Sequence, residues 1–335
     1  MSLKIAFAGT GYISKFHAQA ARNLGLELVA VVNHKAASMS EFASVYGIPR
    51  EHKNVKDLLK DRNVDAFVVG TPNYLHLPQT ISALNAGVHV MVEKPMAMNA
   101  QEAEQMCEAA EKSGALLMVA HCWRFDPEVL WLKKQSSKLG EIIRTKGYGV
   151  HTNWGPSGWF TQKELAGGGA MADMGIHALD TARFLLNDPK PVSVYAKIGT
   201  YYKEFDVDDT GVIIVEWDNG AISYFESGWW QPHADGSQAA TQLYGTKGFG
   251  QIFPAKLELP NGEDQKIDVI DAGLPFPREE AALQSLYDTQ LKYFVECIEK
   301  NQTPTPGGLE GFMNMKVVDA AYESARTRKV VEIKQ

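Results

Sequence analysis

The first 120 residues alternate short apolar runs with helical patterns, and this rhythm constrains the fold more than any other feature of the chain. Residues 4–8 (KIAFA), 27–32 (ELVAVV), 65–69 (DAFVV), 88–92 (VHVMV) and 116–120 (LLMVA) are apolar almost throughout, with no alternation. Strands covered on both faces read this way, because helices flank a parallel sheet on either side. Helical patterns fill the gaps, one ending near residue 24 and others over 38–46, 77–86 and 100–113. Repeated strand–helix–strand units predict a doubly wound, Rossmann-type α/β domain over residues 1–122.

Beyond residue 122 the pattern changes. Residues 142–153, 192–202, 211–218 and 221–228 alternate apolar and polar positions, as strands with one exposed face do. Asp218-Asn219-Gly220 between the last two is a hairpin signal. Helices are expected near 170–187, 281–300 and 308–327. A chain of 335 residues exceeds the roughly 250–300 at which single cores give way to separate domains. The second domain is therefore an α+β unit over 123–335, built on an antiparallel sheet. Helix 308–327 has the option of packing back on the first domain.

With 45% hydrophobic and 22% charged residues, the chain has a globular composition, which excludes disordered and collagen-like classes. Its net charge of −7 and its lack of a Lys/Arg-rich run argue against nucleic acid as a partner. Cys107, Cys122 and Cys297 fit no disulfide framework and point to a reducing compartment. No run reaches about 18 apolar residues and the N-terminus lacks a secretory pattern, so the expected location is the cytoplasm, away from any membrane. The Cys and His residues show no metal-ligand spacing, and no metal is expected.

Gly9-Thr10-Gly11-Tyr12-Ile13-Ser14 joins the first strand to the first helix. The first glycine permits a tight turn, and the second lets backbone approach a pyrophosphate at the helix N-terminus. Ser14 stands where a third glycine is usual. The other reading is a purely structural turn. About 20 residues on, NAD enzymes carry an acidic side chain that binds the ribose. Here the second strand ends in Asn33-His34-Lys35, with no carboxylate to repel a 2′-phosphate. NADP is the expected preference, the alternative being that Lys35 is a solvated residue at a helix start.

Glu93-Lys94-Pro95 follows an apolar strand at its C-terminal end, where open α/β sheets bind ligands. Pro95 restricts the backbone of Lys94 and so its aim, with a cis bond before the proline as one option. Gly167-Gly168-Gly169 leads into a helix that presents Asp173 and His177 on one face, four residues apart. The three glycines suggest a close approach to a ligand or to the other domain. A carboxylate beside an imidazole fixes its tautomer, which suits a general acid/base. Solvated lysines after strands and hydrogen-bonded Asp/His pairs are also common without chemistry.

In this order the motifs resemble the Gfo/Idh/MocA (glucose–fructose oxidoreductase/inositol dehydrogenase) family. The resemblance rests on Ala8–Ile13, Gly70-Thr71-Pro72-Asn73 with His76, Glu93-Lys94-Pro95, Asp173 with His177, and Gly245-Thr246-Lys247-Gly248. It implies an NAD(P)-dependent dehydrogenase or reductase of a sugar, polyol or related carbonyl compound, with a large, mainly antiparallel sheet in the second domain. Gly9, Thr10, Gly11, Tyr12 and Ile13 would hold the pyrophosphate, and Asn33, His34 and Lys35 the ribose. Thr71, Pro72, Asn73 and His76 would line the cofactor cleft, with Glu93 and Lys94 near the nicotinamide. Lys94 and His177 would handle the substrate hydroxyl, Asp173 orienting the imidazole. Arg124, His151 and Asn153 look like substrate-contacting positions, the last two on one strand face by period two. Trp154, with Trp159, Trp229 and Trp230, offers indole faces to a sugar, or simply packs. The resemblance also implies a homodimer or homotetramer through a flat sheet face. The alternatives are an NAD-dependent glycosidase that uses transient oxidation, and a non-catalytic cofactor-sensing protein.

Overall fold

A computed structural model describes residues 2–60, 63–232, 237–262, 266–276 and 280–334. The chain divides into two compact units, Met1–Cys122 with Glu279–Phe312, and Trp123–Arg278 with Met313–Gln335.

The first unit runs β1 (Lys4–Ala8), α1 (Tyr12–Asn23), β2 (Glu27–Val32), α2 (Ala36–Tyr46), β3 (Glu51–His52), α3 (Val55–Lys60), β4 (Ala66–Val69), α4 (His76–Asn85), β5 (His89–Glu93), α5 (Ala100–Ser113) and β6 (Leu117–Ala120). All strand pairs are parallel, in the order β3-β2-β1-β4-β5-β6. The five apolar runs are strands, as expected, and Phe7, Val31, Phe67, Val90 and Met91 are fully buried. Burial of each such side chain contributes about 1.5–3 kcal/mol. β3 and α3 were not foreseen, because β3 is two polar residues long and carries no apolar signal. The strand order reverses between β1 and β4, which creates the crevice at the C-terminal edge where such sheets take ligands.

The second unit holds α6 (Pro127–Gln135), β7 (Ile142–Thr152), α7 (Lys163–Ala166), α8 (Ile176–Leu185), β8 (Pro191–Gly199), β9 (Thr210–Trp217), β10 (Ile222–Gln231), β11 (Ala239–Gly245), β12 (Gly248–Ile252), β13 (Lys256–Asn261) and β14 (Lys266–Asp271). Asp126 caps α6 through the Glu128 amide, and Pro127 takes the first helical position, where its missing N–H costs nothing. The Asp218–Gly220 hairpin forms, with Gly220 at φ +81°. The large sheet is mainly antiparallel, as expected, with one departure: β10 pairs with β7 in parallel, and the remaining pairs are antiparallel. Period-two alternation marks a half-buried strand and says nothing of its partner's direction. β11–β14 extend the same sheet beyond the four strands expected from sequence.

The C-terminal segment adds α9 (Glu280–Glu299), α10 (Gly308–Thr327) and β15 (Val331–Glu332). α9 lies on α1, where Tyr287 stacks on Phe16 at 5.0 Å and Gln284 Nε2 donates to the Phe16 carbonyl. β15 pairs with β8 and ends the nine-stranded sheet.

Candidate active site

The glycine turn occupies the C-terminal end of β1. Gly9 has φ +90°, and a Cβ there would sit 2.4 Å from the Gly70 carbonyl, so only glycine lets the β1 and β4 ends approach this closely. Ser14 is buried and hydrogen-bonds the Gly70 carbonyl at 3.4 Å. The tight helix-to-strand packing usually granted by a third glycine is here provided by Gly70 opposite Ser14. α1 begins at Tyr12 with Gly11 as N-cap and no side-chain cap bond, leaving first-turn amides for a ligand. A Cβ on Gly11 would meet nothing within 4 Å. An uncapped helix N-terminus beside open space fits a dinucleotide pyrophosphate.

At the end of β2, Asn33 Nδ2 donates to Thr10 Oγ1 at 2.7 Å and approaches the Lys35 carbonyl at 3.4 Å. Thr10 Oγ1 lies 2.6 Å from Ser38 Oγ. Thr10 and Asn33 therefore hold the two loops of the crevice together, and His34 and Lys35 are exposed beside them. Tyr12 is exposed and Ile13 half-buried.

Thr71, Pro72 and Asn73 follow β4, with Thr71 Oγ1 donating to Gln79 Oε1 at 2.8 Å. Two residues assigned to the cofactor by resemblance have other partners. His76 is fully buried, with Nδ1 2.9 Å from the Pro95 carbonyl and Nε2 2.9 Å from the Thr71 carbonyl. Burial pushes its pKa down against the pull of both carbonyls and of Glu93, which keeps the ring neutral near pH 7. A neutral ring has one N–H, so it donates to one carbonyl and packs on the other. Glu93 accepts from His17 Nε2 at 2.7 Å through Oε1, and from the Lys94 amide at 3.1 Å through Oε2. Both side chains are thus engaged by the protein itself. Lys94 is half-buried at the end of β5, and the Lys94–Pro95 bond is cis. The nearby Cys122 thiol is pushed up to about 12, by burial first and by Glu93 next, so it is no nucleophile.

In the second unit Asp173 sits in a π-helical turn, Met171–Gly175, that leads into α8 and His177. Such turns recur at functional sites. A Cβ on Gly149 of β7 would lie 2.7 Å from the Met174 carbonyl, so this turn rests directly on the sheet. Asp173 Oδ2 accepts from the buried Trp229 indole at 3.0 Å, and the His177 ring stacks on Trp123 at 4.7 Å. The Gly167–Gly169 run lies close to Asp208 and Tyr322 of the same unit. Asp208 accepts from the Gly169 and Met171 amides at 2.8 Å each, and Tyr322 donates to the same carboxylate. A Cβ on Gly169 would clash with the Asp208 carbonyl at 1.9 Å. The glycines therefore seat the helix on its own unit.

Arg124, assigned to substrate by resemblance, is engaged within the protein. It is 2% exposed, and its Nε and Nη2 make a paired contact with Asp180 at 2.8 Å each. Its Nη1 and Nη2 also donate to Asp188. Burial opposes the charge, but the two carboxylates outweigh it and hold the guanidinium protonated. Asn314 extends the network from Asp180 to Arg183. Arg124→Met should cost about 3–5 kcal/mol of stability, because it strands buried carboxylates. Urea unfolding reads this directly; unchanged stability with a raised KM would return Arg124 to the substrate.

His151 and Trp154 stack at 3.6 Å, and Trp154 Nε1 donates to Gln238. The period-two argument for Asn153 fails: β7 ends at Thr152, and Asn153 turns away with φ +60°. Trp229 is completely buried and packs, whereas Trp154 is half exposed. Sequence reasoning missed His17, although α1 buries Ser14, His17, Ala18 and Ala21, a helical stripe that includes it.

Residues 3–121 match the sequence model of an oxidoreductase family with an NAD-binding Rossmann fold, and residues 134–249 match the C-terminal domain of the same family. D-glucoside 3-dehydrogenase of Escherichia coli K12 is 31% identical, over 99% of this chain and 97% of its own. D-xylose 1-dehydrogenase (NADP(+)) 2 of Haloferax volcanii is 29% identical over 92% of each. The fold of levoglucosan dehydrogenase, solved in complex with NADH, superposes over 100% of both chains with a TM-score of 0.89 at 22% identity. The glycine turn, the Lys94 turn, the Asp173/His177 helix and these full-length matches lead to one conclusion: the chain belongs to the Gfo/Idh/MocA family of NAD(P)-dependent oxidoreductases.

Proposed function

We propose that this oxidoreductase moves a hydride between NAD(P) and a hydroxyl-bearing carbon of a sugar or polyol, with Lys94 and His177 as catalytic residues. The observation that carries the reading lies in the first unit. The Gly9–Ile13 turn ends β1 and Lys94 ends β5, both at the C-terminal edge of one parallel sheet with only β4 between them. A ligand that lies on the turn at α1 therefore extends along the edge from which Lys94 emerges. When bound, the nicotinamide supplies or accepts the hydride. The Lys94 ammonium lowers the pKa of the substrate hydroxyl or polarises the carbonyl. His177 takes or returns the proton on that oxygen. Asp173, held by Trp229, orients the imidazole. Trp154 and His151 form a stacked pair with an exposed indole face, suited to the C–H face of a sugar.

The relatives are named as dehydrogenases of a glucoside and of xylose, which supports net oxidation or reduction over glycosidic cleavage. A panel of sugars, glycosides and polyols tests this, read at the reduced-nicotinamide absorbance and for released aglycone. Absorbance change without aglycone is the expected result; aglycone release with retained cofactor would establish the glycosidase instead.

NADP is the cofactor we expect to be preferred. β2 ends without a carboxylate, and Lys35 is exposed beside Asn33. Asn33→Asp should move the ratio of NADP to NAD dissociation constants towards NAD by about tenfold, or about 1.4 kcal/mol. Wild type already preferring NAD by that margin would overturn the assignment.

A homodimer or homotetramer is supported by the outer face of the large sheet. There Tyr195, Ile214 and Tyr224 are successive cross-strand neighbours, with exposed Val212 and Ile222 on flanking rows. Sedimentation of wild type and Ile214→Glu tests it: a monomeric wild type counts against it. The free thiols of Cys107, Cys122 and Cys297 support a reducing, cytoplasmic location, which cell fractionation would test.

A further inference from the structure

Lys94 leaves β5 on a segment, residues 94–99, that is neither helix nor strand. Backbone there gains no rigidity from a ladder, yet a catalytic group must be held within a fraction of an ångström of its working position. The far end of the segment is anchored by the start of α5, where Asn99 accepts from the Glu102 amide and Glu102 accepts from the Met98 amide. The near end is held differently. Glu93 receives the Lys94 amide on one oxygen and His17 of α1 on the other. His76 of α4 meets the Pro95 carbonyl on one side and the Thr71 carbonyl on the other. His17 and His76 are both 0% exposed.

We propose that His17 and His76 are positioning residues that fix the backbone of Lys94 from two helices, His17 through the Glu93 carboxylate and His76 through the Pro95 carbonyl. The inference rests on the catalytic reading of Lys94. Stability alone gives a weak reason for this arrangement, since a buried His–Glu pair is commonly no better than well-packed apolar residues of the same volume. The rest of the buried face of α1 is small and uncharged: Ser14, Ala18, Ala20 and Ala21. Tyr287 of α9 closes the far side of His17, edge-on at 5.1 Å, so the pair is shielded from water. His76 also ties the turn after β5 to the loop after β4, so the Lys94 turn and the Thr71 loop keep a constant separation. Neither imidazole needs to touch cofactor or substrate for its loss to be felt at Lys94.

Hydrogen exchange on the cofactor-free protein is the first test. In His17→Leu the Lys94 amide should exchange at least tenfold faster, and in His76→Leu the Met96 and Ala97 amides should do so. Amides of β1 should stay within threefold of wild type. Uniform acceleration across the sheet would reduce both histidines to ordinary core residues. Single-turnover hydride transfer, with NADH or NADPH and the panel compound turned over fastest, is the second test. Each leucine variant should lose 10–100-fold in rate with cofactor affinity within threefold. In a Lys94→Ala background the same substitutions should cost less than threefold, because the group they position is gone. Equal losses in both backgrounds would overturn the proposal. Should a leucine variant fail to fold, Glu93→Gln carries the test. It keeps the volume and the acceptor for the Lys94 amide while reversing the bond to His17, and the same non-additivity is expected. If no panel compound reacts, the oxidoreductase reading fails and exchange at Lys94 alone decides whether the clamp exists.

Discussion

Gly11→Val should abolish dinucleotide binding while leaving the fold almost untouched. Gly11 has φ −74° and ψ −174°, an extended conformation that valine adopts freely. The added side chain meets no protein atom within 4 Å of its Cβ. Replacing glycine at an N-cap by a β-branched residue costs about 1 kcal/mol or less, because no side-chain cap is lost. The isopropyl group instead fills the open space before the first-turn amides of α1, where a pyrophosphate would lie. Titration with NADH and NADPH should show affinity reduced by about 100-fold or more, equal to about 2.7 kcal/mol. Circular dichroism should show a melting transition close to wild type. Gly9→Ala makes the contrast. There φ is +90° and the new Cβ would sit 2.4 Å from the Gly70 carbonyl, so folding itself should suffer. A folded Gly11→Val protein with wild-type affinity would remove the turn from the cofactor site.

The first unit was legible because burial on both faces leaves its strands uniformly apolar, and the glycine and Pro95 signals sit at fixed places relative to those strands. β3 escaped because a two-residue edge strand needs no apolar side chain. The parallel contact of β7 with β10 escaped because alternation records which face is buried and not which neighbour lies alongside. Side-chain partners were illegible for a different reason. Arg124 announces a charge, but its partners lie 56 and 64 residues away, and only the folded chain shows the guanidinium is spent. Glu93 and His76 sit where ligands bind, yet Glu93 is satisfied by a histidine 76 residues earlier. His17 was within reach of the sequence. It occupies the buried stripe of α1, and a histidine in such a stripe needs a polar partner.

Lys94→Ala and His177→Ala should each lower turnover by roughly 10²–10⁴ while cofactor affinity stays near wild type. In the proposed reaction Lys94 places a positive charge at the substrate oxygen, and alanine leaves that oxygen to ionise unaided. His177 is the proton acceptor in the same proposal. Its ring is 8% exposed and stacked on Trp123, so water is a poor replacement in the alanine variant. Asp173→Asn should cost less than either, because an amide still accepts from Trp229 Nε1 and only the charge that favours one tautomer is lost. Trp229→Phe should resemble Asp173→Asn, since it frees the carboxylate without removing it. The double variant Lys94→Ala/His177→Ala should lose less than the product of the single losses, as groups that serve one proton transfer do. Single-turnover hydride transfer is the deciding measurement, because product release can mask a chemical defect in steady-state turnover. A near wild-type rate in His177→Ala would move proton transfer to another group of the second unit. Additive losses in the double variant would separate the two residues into independent roles.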